Sequence, residues 1–176
     1  TSWKGHEMFI ESLNIFKQKN PDKLFFAIIL GSDQGRKIYK KKIQRLVEQY
    51  RLIKDILFID NCAKMPLAYK ISNMVVNCSI EPESFGRVAI ESQAMEKVIV
   101  ASDIGGSKET IIDNKTGFLF KAGDAIALSD KLAHIFELDE TTLKSMGIEG
   151  RKNVIKKFNV EKMCFSTYSE YIKLIS

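Results

Sequence analysis

The chain has 176 residues, 45% of them apolar and 28% charged, and carries a formal net charge of +5. That length suits one domain able to bury roughly 70% of its unfolded surface without disulfide staples. Its longest apolar runs are strand-sized, far short of the ~20 residues of a membrane-spanning helix, no signal peptide is expected, and the odd, scattered Cys62, Cys78 and Cys164 suit a reducing compartment better than a disulfide framework.

Taken in chain order, apolar runs alternate with helical patterns. Met8, Phe9, Ser12, Leu13 and Phe16 recur at helical spacing in KGHEMFIESLNIFKQK. After a Pro-Asp break, KLFFAIIL is a continuous apolar run and predicts a buried strand. GSDQG turns the chain into a basic helix near Lys37–Tyr50, and DILFI is the next strand. MPLAYKIS predicts a short helix with Pro66 in its first turn. NMVVNCS, EKVIVAS and TGFLF are strands, separated by a helix in FGRVAIESQAM and a short one in GGSKETII. Three helices close the chain, the first with Asp124 near its start. Strands separated by helices imply a parallel sheet covered on both faces, and right-handed crossovers reduce the layout to a doubly wound α/β domain. Ligands of such sheets collect beyond the strands' carboxyl ends. That rule directs attention to GSDQG, IDNCAK, SIEPESFG and SDIGGSKE.

The segment EPESFGRVAIESQAM places Glu83 just ahead of a helix start and Glu91 about one and a half turns inside it. Backbone N–H groups of Arg87 and Val88 have no intrahelical acceptor there, and a helix N-terminus attracts phosphate through these donors and its dipole. Gly86 lets a ligand approach the backbone. A carboxylate at Glu91 can accept from both hydroxyls of a ribose diol, while Glu83 can meet hydroxyls at the ligand's other end. Phosphate between two polyols is the outline of a nucleotide sugar. The plainer account has Glu83 as a helix-start acid favoured by the dipole and Glu91 facing solvent.

The same segment resembles the E-x7-E signature of family 4 glycosyltransferases, enzymes of GT-B architecture with two Rossmann-like domains. SWKGHEMFIESL resembles the family's Lys-Gly helix start, FFAIILG its next strand and glycine, and CAKMPLAYKISNMVVNCS and VIVASDIGGSKETIIDNKTGFLF the segments flanking the signature. The resemblance covers nearly the whole chain. It implies a Rossmann-like fold, the C-terminal half of a GT-B enzyme, formed by residues 1–176 as one nucleotide-sugar-binding domain. The terminal helix, near 160–175, is then expected to pack toward an N-terminal domain outside this chain. By the same resemblance Glu83 contacts the donor sugar, Phe85 and Gly86 present backbone amides to it, Arg87 and Val88 lie at the pyrophosphate, Glu91 holds the ribose, and Lys4 neutralises the departing nucleoside diphosphate. A fixed cation at that place gains energy as the leaving group's charge develops. Gly31 in GSDQG, and Ile59, Asp60 and Met65 around IDNCAK, are expected near the nucleotide, with Gly105 and Gly106 completing the pocket. Glu109 suits a helix-start acid as well as a ligand contact. The family's Gly and Pro after the signature helix are replaced by Glu96 and Val98, which implies altered turn geometry before the next strand.

The expected activity is retaining transfer of a sugar from a UDP- or GDP-linked donor to a glycan or lipid-linked acceptor, with cell-envelope or lipopolysaccharide synthesis the preferred setting. The acceptor site is expected in the other domain, so this chain alone should not turn over. No cofactor or metal is expected: His6 and His134 lack ligand-spaced partners, and there is no Asp-x-Asp pair. Two alternatives stand beside this one. A GT-B nucleotide-sugar epimerase would give an epimer without an acceptor. A non-enzymatic module would use the stretch Arg36–Lys54, with eight basic residues against Glu48, to bind a polyanion or an anionic bilayer. Nucleic acid is not expected as a partner. The expected location is cytoplasmic, with a peripheral position on the inner face of the cytoplasmic membrane compatible with the basic stretch.

Overall fold

The computed structural model describes residues 1–175. A short 3-10 turn, Ser2–Lys4, leads into α1 (His6–Lys19) and β1 (Ala27–Leu30). There follow α2 (Lys37–Gln49), β2 (Ile56–Ile59), α3 (Met65–Ile71), β3 (Met74–Asn77), α4 (Arg87–Ala94), β4 (Val98–Ser102), α5 (Ser107–Thr110) and β5 (Phe118–Phe120). The helices α6 (Ala125–Glu137), α7 (Glu140–Lys157) and α8 (Val160–Ile175) complete it. All strand pairs are parallel, in two ladders: β1 with β2, and β3–β4–β5 with β4 central.

Alternation along β4 explains the layering. All five of its residues are buried. Successive side chains of a strand point to opposite faces, so Val98 and Val100 join Ile10, Phe16, Leu128 and Ile135 in the larger core cluster, under α1 and α6. Ile99 and Ala101 join Ala89 of α4 and Ile111 in the smaller one. Helices on both faces follow from this doubly apolar strand, as the run VIVA predicts. Local signals place the late helices: the Asp124 carboxylate accepts from Ala127 N at 2.9 Å and Asp139 from Thr142 N at 2.8 Å, each satisfying an orphan donor of a first turn.

Two expectations need correction. KLFFAIIL does not form a wholly buried strand: β1 starts only at Ala27, Leu24 and Phe26 are exposed, and Ile28 stays 41% exposed. The reason lies in the register, which sets Ile28 beside Leu57, itself 44% exposed, on the same face of the two-stranded ladder. Ala27 and Ile29, pointing the other way, pack on the main core. The second concerns the turn after α4. Val98 is not in it but opens β4, while Glu96 takes a left-handed conformation with φ 56°. The turn thus keeps the geometry a glycine would adopt, and Glu96 bears the steric cost. α7 runs hard against this turn: a side chain at Gly147 would come within 2.2 Å of the Glu96 carbonyl oxygen.

The helix α8 has no buried residue, and Phe165, Tyr168, Tyr171 and Ile172 are exposed on it. Among the described residues no helix is long and apolar enough to cross a membrane.

Candidate functional site

The chain pairs β1 with β2, then returns to build β3–β4–β5, and both ladders feed one core. Ligands of such parallel sheets collect beyond the carboxyl ends of the strands. The loops leaving β1, β3 and β4 supply the residues there, together with the turn that precedes α1.

That turn is strapped to the end of β3. Ile80 N donates to Trp3 O at 2.8 Å, and the Cys78 thiol donates to Lys4 O at 3.3 Å. Gly5 has φ 70°, and a Cβ there would lie 1.9 Å from the Cys78 carbonyl oxygen. Only glycine permits so close an approach, which explains Lys-Gly at this place. Burial pushes the Cys78 thiol up to about 12, so it serves as a neutral strut. The strap delivers the Lys4 ammonium, packed 4.2 Å over the Trp3 ring, to within 2.8 Å of Glu83 Oε1.

Glu83 is fixed from several sides. Ser79 Oγ donates to the same Oε1. Gly106 N donates to the Glu83 carbonyl oxygen at 2.8 Å. Side chains at Gly105 or Gly106 would come within 2.5 Å of the backbone oxygens of Glu83 and Phe85 respectively, so these glycines underlie the loop and set its path. Burial alone would raise the Glu83 pKa, but hydrogen bonds from Lys4 and Ser79 outweigh it and hold the carboxyl below its ordinary value. Glu83 is therefore ionised at neutral pH.

Beyond the loop, the Phe85 ring meets Phe158 edge to face at 5.8 Å, tying the start of α4 to the end of α7. Gly86 caps α4 with φ 74°, and nothing lies within 4 Å of where its side chain would stand. No side chain caps the helix, so the Arg87 and Val88 amides keep their donors. One and a half turns on, Glu91 is 34% exposed at its side chain and gripped at both oxygens. Tyr69 Oη donates to Oε2 at 2.8 Å. Arg87 Nε and Nη2 donate to Oε1 at 3.1 and 2.8 Å. Burial first, and this bond second, raise the Tyr69 phenol well above its ordinary pKa, so it stays a donor.

The site residues expected from sequence thus fall into groups. Lys4 and Glu83 touch; Phe85, Gly86, Arg87, Val88 and Glu91 share one loop and helix face. Gly31, with φ 143°, is exposed at the end of β1 and donates its N–H to Ile59 O at 2.8 Å, so these two adjoin. Asp60 forms an ion pair with Lys40, and Met65 is the first residue of α3. No hydrogen bond or ion pair links Asp60 or Met65 to the glutamates among the described residues. Sequence reasoning missed Tyr69, Ser79 and Trp3. Ser79 was discoverable as a hydroxyl in the same loop as Glu83, whereas nothing local marks Tyr69 as the partner of a residue in another helix.

Fold and site together define a Rossmann-like α/β domain whose strand ends carry an anion-ready helix start between two carboxylates. Residues 1–153 match the family described as glycosyl transferases group 1, and the chain belongs to that family. It is 28% identical to the putative glycosyltransferase EpsD of Bacillus subtilis over 175 residues, covering 97% of this chain and 43% of that protein. The crystal structure of a glycosyltransferase from Rickettsia africae superposes with a TM-score of 0.92 at 32% identity, over 100% of this chain and 46% of the other. Anabaena HepE, solved with UDP and glucose, shares the fold at 22% identity with a TM-score of 0.85, over 97% of this chain and 46% of its own. The chain accordingly spans under half the length of these proteins and corresponds to the C-terminal Rossmann-like half of the GT-B architecture.

Proposed function

We propose that this domain binds the nucleotide-sugar donor of a retaining glycosyltransferase that builds a cell-envelope glycan or lipid-linked glycoconjugate on the cytoplasmic side, with lipopolysaccharide among the candidate products. The observation that carries this reading is the uncapped start of α4, where Gly86, itself buried, has nothing within 4 Å of the place a side chain would take, bracketed by Glu83 and Glu91, with the Lys4 ammonium alongside. A diphosphate at the helix start would accept from the Arg87 and Val88 amides. Glu91 would accept from the ribose hydroxyls and Glu83 from those of the sugar. As the sugar leaves, negative charge grows on the diphosphate. Lys4, already immobilised by Trp3 and the β3 strap, would stabilise that charge without reorganising. The acceptor would come from the part of the enzyme outside this chain.

Isothermal titration of nucleoside diphosphates and their sugar conjugates tests the proposal. The wild-type chain should bind one such pair, and Glu91→Ala should weaken it about tenfold or more, since a charge-assisted hydrogen bond contributes roughly 1.5–3 kcal/mol. Unchanged affinity in the variant removes Glu91 from the site. In the full-length enzyme, product analysis separates transfer from epimerisation.

A second, compatible role rests on α2. Arg36, Lys37, Lys41 and Arg45 are exposed and form no ion pair among the described residues, and Ile38 between them is 88% exposed. Such a face suits docking on an anionic bilayer. Co-sedimentation with phosphatidylglycerol-containing vesicles, lost in Lys37→Glu/Lys41→Glu, would support it. Equal binding to neutral vesicles would refute it.

A further inference from the structure

We propose that Arg87 makes the site selective for diphosphates: its guanidinium neutralises Glu91 in the free protein, and a bound diphosphate draws it away while the ribose takes over the carboxylate. This rests on the donor-binding reading above. Residues four apart share one face of a helix, so Arg87 stands between the helix start, where the diphosphate would lie, and Glu91, where the ribose would lie. In the free protein both Glu91 oxygens are engaged. Oε1 takes two N–H donors from Arg87, which fills its two lone pairs, while Oε2 takes only the Tyr69 hydroxyl and keeps room for one more. A vicinal diol needs a place on each oxygen, so Arg87 must leave Oε1 for the ribose to be held at both hydroxyls.

Its release is easy. The Arg87 side chain is 83% exposed, and no packing anchors it. Exposed pairs at this spacing hold by about a factor of two. The guanidinium is planar and forked, which matches phosphate oxygens, and it starts from the first residue of an uncapped helix. A charge-assisted contact there strengthens binding about tenfold or more. The balance differs by ligand. A nucleoside must displace Arg87 and gains nothing for it, whereas a nucleoside diphosphate displaces it and then binds it. Tyr69 does not move in this exchange. Buried at 5% exposure, it keeps Glu91 aimed while its other partner changes.

Calorimetric titration of UDP, GDP and ADP, with uridine, guanosine and adenosine measured as competitors, tests the idea on wild type, Arg87→Leu and Arg87→Lys. Leucine is as good a helix former as arginine, and circular dichroism melts check that the fold is kept. The wild-type chain should bind at least one diphosphate. Arg87→Leu should weaken that diphosphate about tenfold, yet leave the matching nucleoside unchanged or up to about twofold tighter. Arg87→Lys should fall between. The gap between wild type and Arg87→Leu should narrow in about 1 M salt, where an exposed contact is screened. Equal weakening of diphosphate and nucleoside overturns the proposal, because Arg87 would then only position Glu91. No change in either ligand overturns it too. If wild type binds none of the diphosphates, the donor reading itself fails, a result distinct from either of these.

Discussion

Gly5→Ala tests how the site is assembled without requiring any ligand. The new Cβ would meet the Cys78 carbonyl oxygen at 1.9 Å, a backbone atom that cannot swing aside. The Lys4 turn must therefore shift by about 1 Å or more from the end of β3. The left-handed conformation, φ 70°, adds about 1–2 kcal/mol of strain for alanine. Losing the Ile80–Trp3 backbone bond costs about 1 kcal/mol more, and opening the packed corner adds about another 1 kcal/mol. The sum is about 3–4 kcal/mol, or roughly 6–16 °C in Tm for a chain of this size. Gly35→Ala is the control: it shares a positive φ of 81° but has nothing within 4 Å of the added carbon. It should cost only the backbone strain, about 1–2 kcal/mol. Thermal melts by circular dichroism measure both. If Gly5→Ala melts no lower than Gly35→Ala, the turn is not wedged against β3, and the account of how Lys4 reaches Glu83 is wrong.

Other expectations concern the two carboxylates. Tyr69→Phe removes a hydroxyl that touches Glu91 but lies outside the proposed ligand contacts. Diphosphate affinity should fall about three- to tenfold, from about 1 kcal/mol of lost alignment, while Tm changes little because water can reach the half-exposed carboxylate. An unchanged affinity by titration would show that Glu91 needs no positioning. The folded-state pKa of Glu83 is depressed, so its ion pair stabilises the domain fully above the ordinary glutamate value of about 4.3 and loses that contribution as pH falls through the lower folded value. The stability difference between wild type and Glu83→Gln, followed by urea denaturation, should be flat from about pH 6 to 8 and shrink below about pH 4.5. A difference that grows on acidification would contradict the assigned sign.

Much of the architecture was legible in the amino-acid order because its causes are local. Alternation of apolar runs with helical periodicity yields an α/β domain, the fully apolar VIVA yields a strand covered on both faces, and Asp124 announces its helix by satisfying a donor three residues on. The spacing of Glu83 and Glu91 around Phe85 and Gly86 likewise singled out one segment, around which the structure gathers Lys4, Ser79 and Tyr69. Other features belong to the folded chain alone. That Lys4 meets Glu83, that Tyr69 reaches from the β2–β3 connection to Glu91, and that Gly5 lies on Cys78 depend on loop closure between distant segments. The exposure of Ile28 and Leu57 has the same origin. Both residues are as apolar as any in the core, but a strand's register and the placing of helices on one face decide which apolar side chains are covered, and no window of sequence contains that information.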